Sequence, residues 1–314
     1  MRWLAGLALG AAVAVPFVLS SDYALHLAVM ACVYLILASS LNLVMGHGGL
    51  LSLAHPAFFG VGAYAAALLA IRGAPFLAGL AAALALAAAA GAAVGLPALR
   101  LSRHAFVMVT LSVTLLFQLL ALNWTTLTRG PMGIPGIPLP TLLGVTIATK
   151  TQFYYLMLAL ALACIASVVV VTRSPAGRAL MAVRESDVLA AALGINPLRY
   201  RLQAFVIAAA WAGAAGAGYA HYISIVDPSV FDFYWMESLL VMVILGGPGS
   251  VAGVAAAAVV FTAVPEWLRV SQDLRMVLYG AILLAAILFL PEGLSGWLAA
   301  RRTARALRAE QARA

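Results

Sequence analysis

The chain has 314 residues, of which 65% are hydrophobic and 9% charged, with a formal net charge of +8. Soluble proteins average about 45–50% apolar and about 25% charged residues, so no water-soluble fold of this length can bury so much apolar surface. Disorder, a disulfide scaffold and a soluble enzyme are excluded; Cys32 and Cys164 lie in apolar runs and say nothing of redox compartment.

A spanning helix uses about 20 residues, and the expected fold is all-α: a polytopic integral membrane bundle of about ten transmembrane helices, some broken. The first span covers residues 4–19. It follows Arg2, and Ala12-Val13-Ala14 resembles a cleavage site, but its apolar run is long for a signal peptide and it is read as retained. The second span, 23–44, meets the glycine-rich break Gly46-His47-Gly48-Gly49, and the third runs 56–71. The fourth and fifth are 75–96 and 105–122, and a Gly/Pro-rich external loop over 123–150 leads to the sixth, 152–171. A polar stretch over 173–203 precedes the seventh, 204–222. A short eighth, 236–245, ends at Gly246-Gly247-Pro248-Gly249, followed by the ninth, 250–264, and the tenth, 276–290. Interrupted short segments such as the third, eighth and ninth are the pattern of broken helices. Residues 1–300 form one transmembrane domain, and 301–314 form a basic tail read as an amphipathic helix at anionic lipid headgroups.

Ten spans place both termini on one side. That side collects Arg2, Arg100, Arg103, Arg173, Arg178, Arg184, Arg199, Arg201 and the arginines of the tail, whereas Arg72, Arg129, Lys150, Arg269 and Arg275 fall opposite. The basic side is cytoplasmic, which puts the protein in the cell inner membrane. This distribution is topological, and no nucleic-acid partner is expected. Trp3, Trp124, Trp235, Trp267 and Trp297 fall near span ends, as interfacial anchors do.

The stretch 173–203 reads as a rigid cytoplasmic knob. Ser174 is an N-cap, Pro175 suits the first helical position, a second short helix follows over 186–193, Gly194 caps it, and Asn196-Pro197 turns the chain. Ala190, Ala191 and Ala192 are small enough for close approach by another protein; the competing reading is a solvated loop. The break from Gly46 to Pro56 is the candidate transport path. Glycines and a proline free backbone groups that lipid cannot satisfy, the restarted helix aims N–H groups at a carboxylate, and Asn42, Ser52 and His55 add side-chain polarity. A structural kink against a neighbour is an equal alternative. Gly246 and Gly247 form a similar break, and Gly249 with Gly253, like Gly213, Gly216 and Gly218, reads as close helix packing. Glu237 reads as an interfacial acid. No HExxH, Ser/His/Asp spacing or cysteine cluster occurs, so neither an enzyme nor a metal site is expected. The run ending in Lys150 lacks the glycine before the lysine of a phosphate-binding loop and reads as chance.

Several motifs carry a family resemblance. They are Ser174-Pro175-Ala176-Gly177-Arg178-Ala179, Arg184-Glu185, Ala191-Ala192-Leu193-Gly194-Ile195, Leu41-Asn42-Leu43 through Gly49, Leu51-Ser52-Leu53-Ala54-His55-Pro56 through Tyr64, Thr128 through Pro138, and Leu245 through Gly253. In this order they resemble the LivM-type permease subunits of branched-chain amino-acid ABC importers. The resemblance implies a non-catalytic subunit forming half of a translocation path. It implies a second, LivH-like permease, two cytoplasmic ABC ATPases and an external binding protein as partners. The knob residues Ser174, Pro175, Gly177, Arg178, Arg184, Glu185, Ala191, Ala192 and Gly194 would couple to the ATPases, which bind ATP and Mg; this chain binds no cofactor. Urea or short-amide permeases of the broader family, or a stand-alone secondary carrier or channel, are the alternatives.

Overall fold

The computed structural model describes residues 10–17, 21–142 and 144–267, with residues 277, 280, 281, 284, 293 and 296 beyond them. α1 is helical over 10–17. The following helices are α2 (Asp22–Asn42), prolonged by a π-helical segment (Leu43–His47), then α3 (His55–Ala70), α4 (Phe76–Ala98), α5 (Arg103–Asn123) and the short α6 (Thr125–Thr128). α7 (Lys150–Arg173), α8 (Pro175–Glu185), α9 (Asp187–Ala192), α10 (Pro197–Ile223), α11 (Phe233–Gly246) and α12 (Val251–Trp267) complete the described helices. Helices therefore occupy the second to ninth predicted spans. The first span is described only over 10–17, and the tenth and the basic tail lie outside the described residues apart from isolated positions. Five segments are long and apolar enough to cross a membrane: Asp22–His47, Phe76–Ala98, Arg103–Asn123, Lys150–Arg173 and Pro197–Ile223. α3, α11 and α12 are shorter, as the interrupted pattern predicts.

Two of the boundaries that shift from expectation have a clear local cause. The second helix does not stop before Gly46; it runs on to His47 by widening into a π turn, a device frequent at functional sites. The seventh span begins at Pro197, not at residue 204, because Asn196 Oδ1 accepts from the Arg199 amide at 3.3 Å and Pro197 sits in the first turn with its φ already helical.

α2, α3 and α10 form the buried centre. Their approach is set by small residues: Gly62 lies on the Gly213 backbone, Gly213 on Ala83 and Ala87 of α4, and Gly216 on the backbone of Phe59 and Ala63. In lipid, where no hydrophobic force drives helices together, such backbone-to-backbone contact gains dispersion that larger residues would forfeit. α4, α5 and α7 keep apolar outer faces, including Leu77, Leu86, Met108, Leu115, Leu119 and Val170, which only lipid or another subunit can cover.

At the end away from α8 and α9, the loop after α5 is ordered by strand pairing: Ile134–Pro135 pairs antiparallel with Ile225–Val226, and Thr141–Leu142 with Val145–Thr146. Lys150 lies 3.5 Å from the Asp22 carboxylate at the starts of α7 and α2. Trp124 is exposed, in keeping with an anchor, but Trp235 is not one. It is buried with ring centroids 4.8 Å from Phe59, 5.3 Å from Tyr34 and 5.4 Å from Tyr219. Facing α11 toward the centre outweighs its position in sequence. Trp3 and Trp297, and the Trp267 side chain, lie outside the described residues.

Candidate functional site

The knob is built by successive caps. Ser174 is extended, and its Oγ accepts from the Gly177 amide at 3.2 Å while Pro175 occupies the first turn of α8. Gly177 is buried where a Cβ would collide with the Val171 and Thr172 carbonyls, so the α7–α8 corner closes only over glycine. Arg178 Nη1 donates to the Arg173 carbonyl at 3.3 Å. Ser186 Oγ accepts from Leu189 N at 3.3 Å to start α9, and Gly194 follows its end at φ +80°. Asp187 grips Arg201 of α10 through two hydrogen bonds of 2.7 Å, with the arginine side chain 8% exposed. Neither partner stands out in the sequence, because nothing local pairs residues on two different helices.

α8 and α9 present two unlike faces. Leu180 and Val183 point inward, and so does Ala190, which corrects its expected place on a docking face. The outward face carries instead Val188 and, just past the end of α9, Leu193, each 79% exposed, with Leu189, Ala191 and Ala192 beside them; Glu185 is exposed nearby.

The break after the π segment is enclosed by protein. At Leu53 the freed backbone is satisfied by two threonines of α5: Leu53 N donates to Thr110 Oγ1 at 3.1 Å, and Thr114 Oγ1 donates to the Leu53 carbonyl at 2.8 Å. Sequence reading passed over both threonines, since their only local sign was polarity inside an apolar span. Ser52 Oγ accepts from Ala54 N at 3.3 Å, and His55 Nε2 lies 3.4 Å from Ser40 Oγ. Asn42, Ser52 and His55 are all 0% exposed, and Asn42 Nδ2, His55 Nδ1 and Ser39 Oγ are buried without a hydrogen-bond partner.

The two glycine breaks, some two hundred residues apart in sequence, meet in space. Gly249 N donates to Asn42 Oδ1 at 2.8 Å, and a Cβ on Gly46 would collide with both groups. Gly246 packs on Gly253 and Val254, while Gly247 (φ +95°) and Gly249 (φ +92°) hold the α11–α12 link in conformations that side chains resist. Gly48 lies against the Val44 backbone of the π segment with Leu180 of α8 beyond it. Arg184 of α8 reaches this junction and donates Nη1–H to the Gly46 carbonyl. Residues expected to serve coupling and residues expected to line a path thus share one cluster.

A family model described as "Branched-chain amino acid transport system / permease component" matches residues 23–287. The chain belongs to this family. It is 36% identical over 308 residues to the high-affinity branched-chain amino acid transport system permease protein LivM of Salmonella typhimurium, an alignment covering 90% of this chain and 72% of the relative. It is 35% identical over 307 residues to the LivM protein of Escherichia coli, with the same coverage. No solved structure matches the chain. The region matched to the permease family takes in both glycine breaks, the knob and the threonines that satisfy the first break.

Proposed function

We propose that this chain is the transmembrane permease subunit of an ATP-driven importer of branched-chain amino acids, resident in the inner membrane with both termini cytoplasmic. It forms half of the translocation path beside a second, LivH-like permease. Two cytoplasmic ABC ATPases hydrolyse ATP with Mg, and an external protein delivers substrate. The observation that carries this reading is the capped α8–α9 knob with its outward Val188, Leu189 and Leu193, found in a chain matched along 90% of its length to LivM relatives. Apolar side chains so exposed on a polar, arginine-rich segment suit a protein partner. Backbone caps and the Asp187–Arg201 pair make the knob stiff enough to carry force into α7 and α10.

The substrate passes by Asn42, Ser52 and His55, where buried polar atoms lacking partners mark a place for water or the zwitterion of an amino acid. Gly46, Gly48, Gly49, Gly246 and Gly247 supply the backbone freedom that opening requires. Urea or short amides are the second substrate class, because the external binding protein chooses the cargo. The test is reconstitution with the partner subunits in proteoliposomes: uptake of labelled leucine, isoleucine or valine requires ATP and the ATPases. Uptake by the chain alone, driven by an ion gradient, would overturn the reading in favour of a secondary carrier.

A further inference from the structure

The geometry points to Arg184 as the positioning residue that locks the two glycine breaks together and carries movement of the knob into them; this rests on the chain being an ATP-driven permease subunit. Gly46 lies in the last turn of the long α2 run, where carbonyls have no further helical amide to accept from. A guanidinium is well suited to such a helix end, by hydrogen bonding and by charge. Arg184 supplies it from a different element, donating to the Gly46 carbonyl.

The rest of the side chain is fitted to the same junction. A Cβ on Gly49 (φ +67°) would stand 2.9 Å from Arg184 Cγ, so the glycine leaves the stem its room. A Cβ on Gly249 would stand 3.2 Å from Arg184 Nη1, which puts the guanidinium against the α11–α12 link as well. That link is tied back to α2 through Gly249 N and Asn42 Oδ1. One turn earlier on α8, Leu180 packs with Leu43 of the π segment and Ala204 of α10. Residues 180 and 184 lie on one helical face, and that face grips the junction while Val188 of α9 and Leu193 just past its end look outward. Displacing α8 therefore withdraws Arg184 from Gly46. The α11–α12 link then keeps Asn42 as its described side-chain hydrogen bond to α2.

The test compares the full importer carrying Arg184→Gln with the unmutated complex in proteoliposomes, reading ATP hydrolysed per amino acid imported. Loss of the lock raises that ratio at least tenfold, because hydrolysis no longer moves the gate. A merely structural role lowers hydrolysis and uptake in proportion and leaves the ratio within twofold, which overturns the proposal. Asn42→Ala, which cuts the opposite side of the same junction, is read in the same way should Arg184→Gln fail to assemble; an unchanged ratio there also overturns it. Absence of ATP-driven uptake from the unmutated complex overturns the transport reading itself, and the lock with it.

Discussion

Replacing Asp187 by alanine removes the carboxylate that fixes α9 to α10. Both of its oxygens accept from Arg201 at 2.7 Å, and the arginine is almost wholly covered while the aspartate side chain is 42% exposed. Breaking a fully buried pair costs about 3–5 kcal/mol and an exposed pair about 0.2–1 kcal/mol, so this half-covered pair falls near ~2 kcal/mol. Loss of a negative charge from the first turn of α9 adds about 0.3–1 kcal/mol. Arg103, exposed and 3.9 Å from the Asp187 carboxylate, loses the same partner and, carrying the same sign, offers Arg201 no relief. Denaturant titration of the detergent-solubilised protein should therefore place Asp187→Ala ~2–3 kcal/mol below the parent. A double-mutant cycle with Arg201→Gln should return a coupling energy of about 1–2 kcal/mol. A coupling energy indistinguishable from zero would refute the argument that this pair stiffens the knob.

Val188→Asp and Leu193→Asp change exposed positions and should alter stability by no more than ~0.5 kcal/mol, yet co-purification of the ATPases should fall at least tenfold; retention at the parental level would remove α9 from the docking face. Gly177→Ala forces a methyl onto the Val171 and Thr172 carbonyls and should cost about 1–3 kcal/mol by denaturant titration. Asp232 accepts from Gln118 at 2.6 Å, but burial first and Asp227 second raise its carboxyl above the ordinary value of 3.8. A raised acid favours the folded state below 3.8, and that advantage is lost as the pH climbs through the folded value. Asp232→Asn should therefore flatten the loss of stability as the pH rises above 3.8, measured by parallel denaturation curves. Lys150→Met removes an exposed pair with Asp22 and a 3.2 Å hydrogen bond to its carbonyl, with an expected cost of about 1 kcal/mol, and should leave ATP hydrolysis by the assembled importer unchanged; a loss of hydrolysis would restore a phosphate-binding role to the segment.

Much of this architecture is legible along the chain because lipid imposes a local rule. Every spanning backbone must satisfy itself, so apolar length alone marks α2, α4, α5, α7 and α10. Capping is equally local: Ser174 with Pro175, Ser186, Gly194 and Asn196 with Pro197 announce α8, α9 and the start of α10 within a few residues each. The direction in which a side chain points is not local. Ala190 and Ala191 are chemically alike, yet one is buried and the other exposed, since only the seat of α9 on α10 decides which face turns in. Trp235 reads as an anchor by its place near a span end and is instead core, because α11 turns it toward Phe59 and Tyr219.

The sequence by itself determined where the chain breaks and where it is stiff, since both follow from backbone chemistry within one turn of each residue. Only the tertiary structure decided that the break at Gly46 meets the break at Gly249, that Thr110 and Thr114 satisfy the freed backbone at Leu53, and that Arg184 reaches from the knob into the junction. Those contacts join residues dozens to hundreds of positions apart, and no periodicity or propensity encodes a distance that folding alone brings to a hydrogen bond.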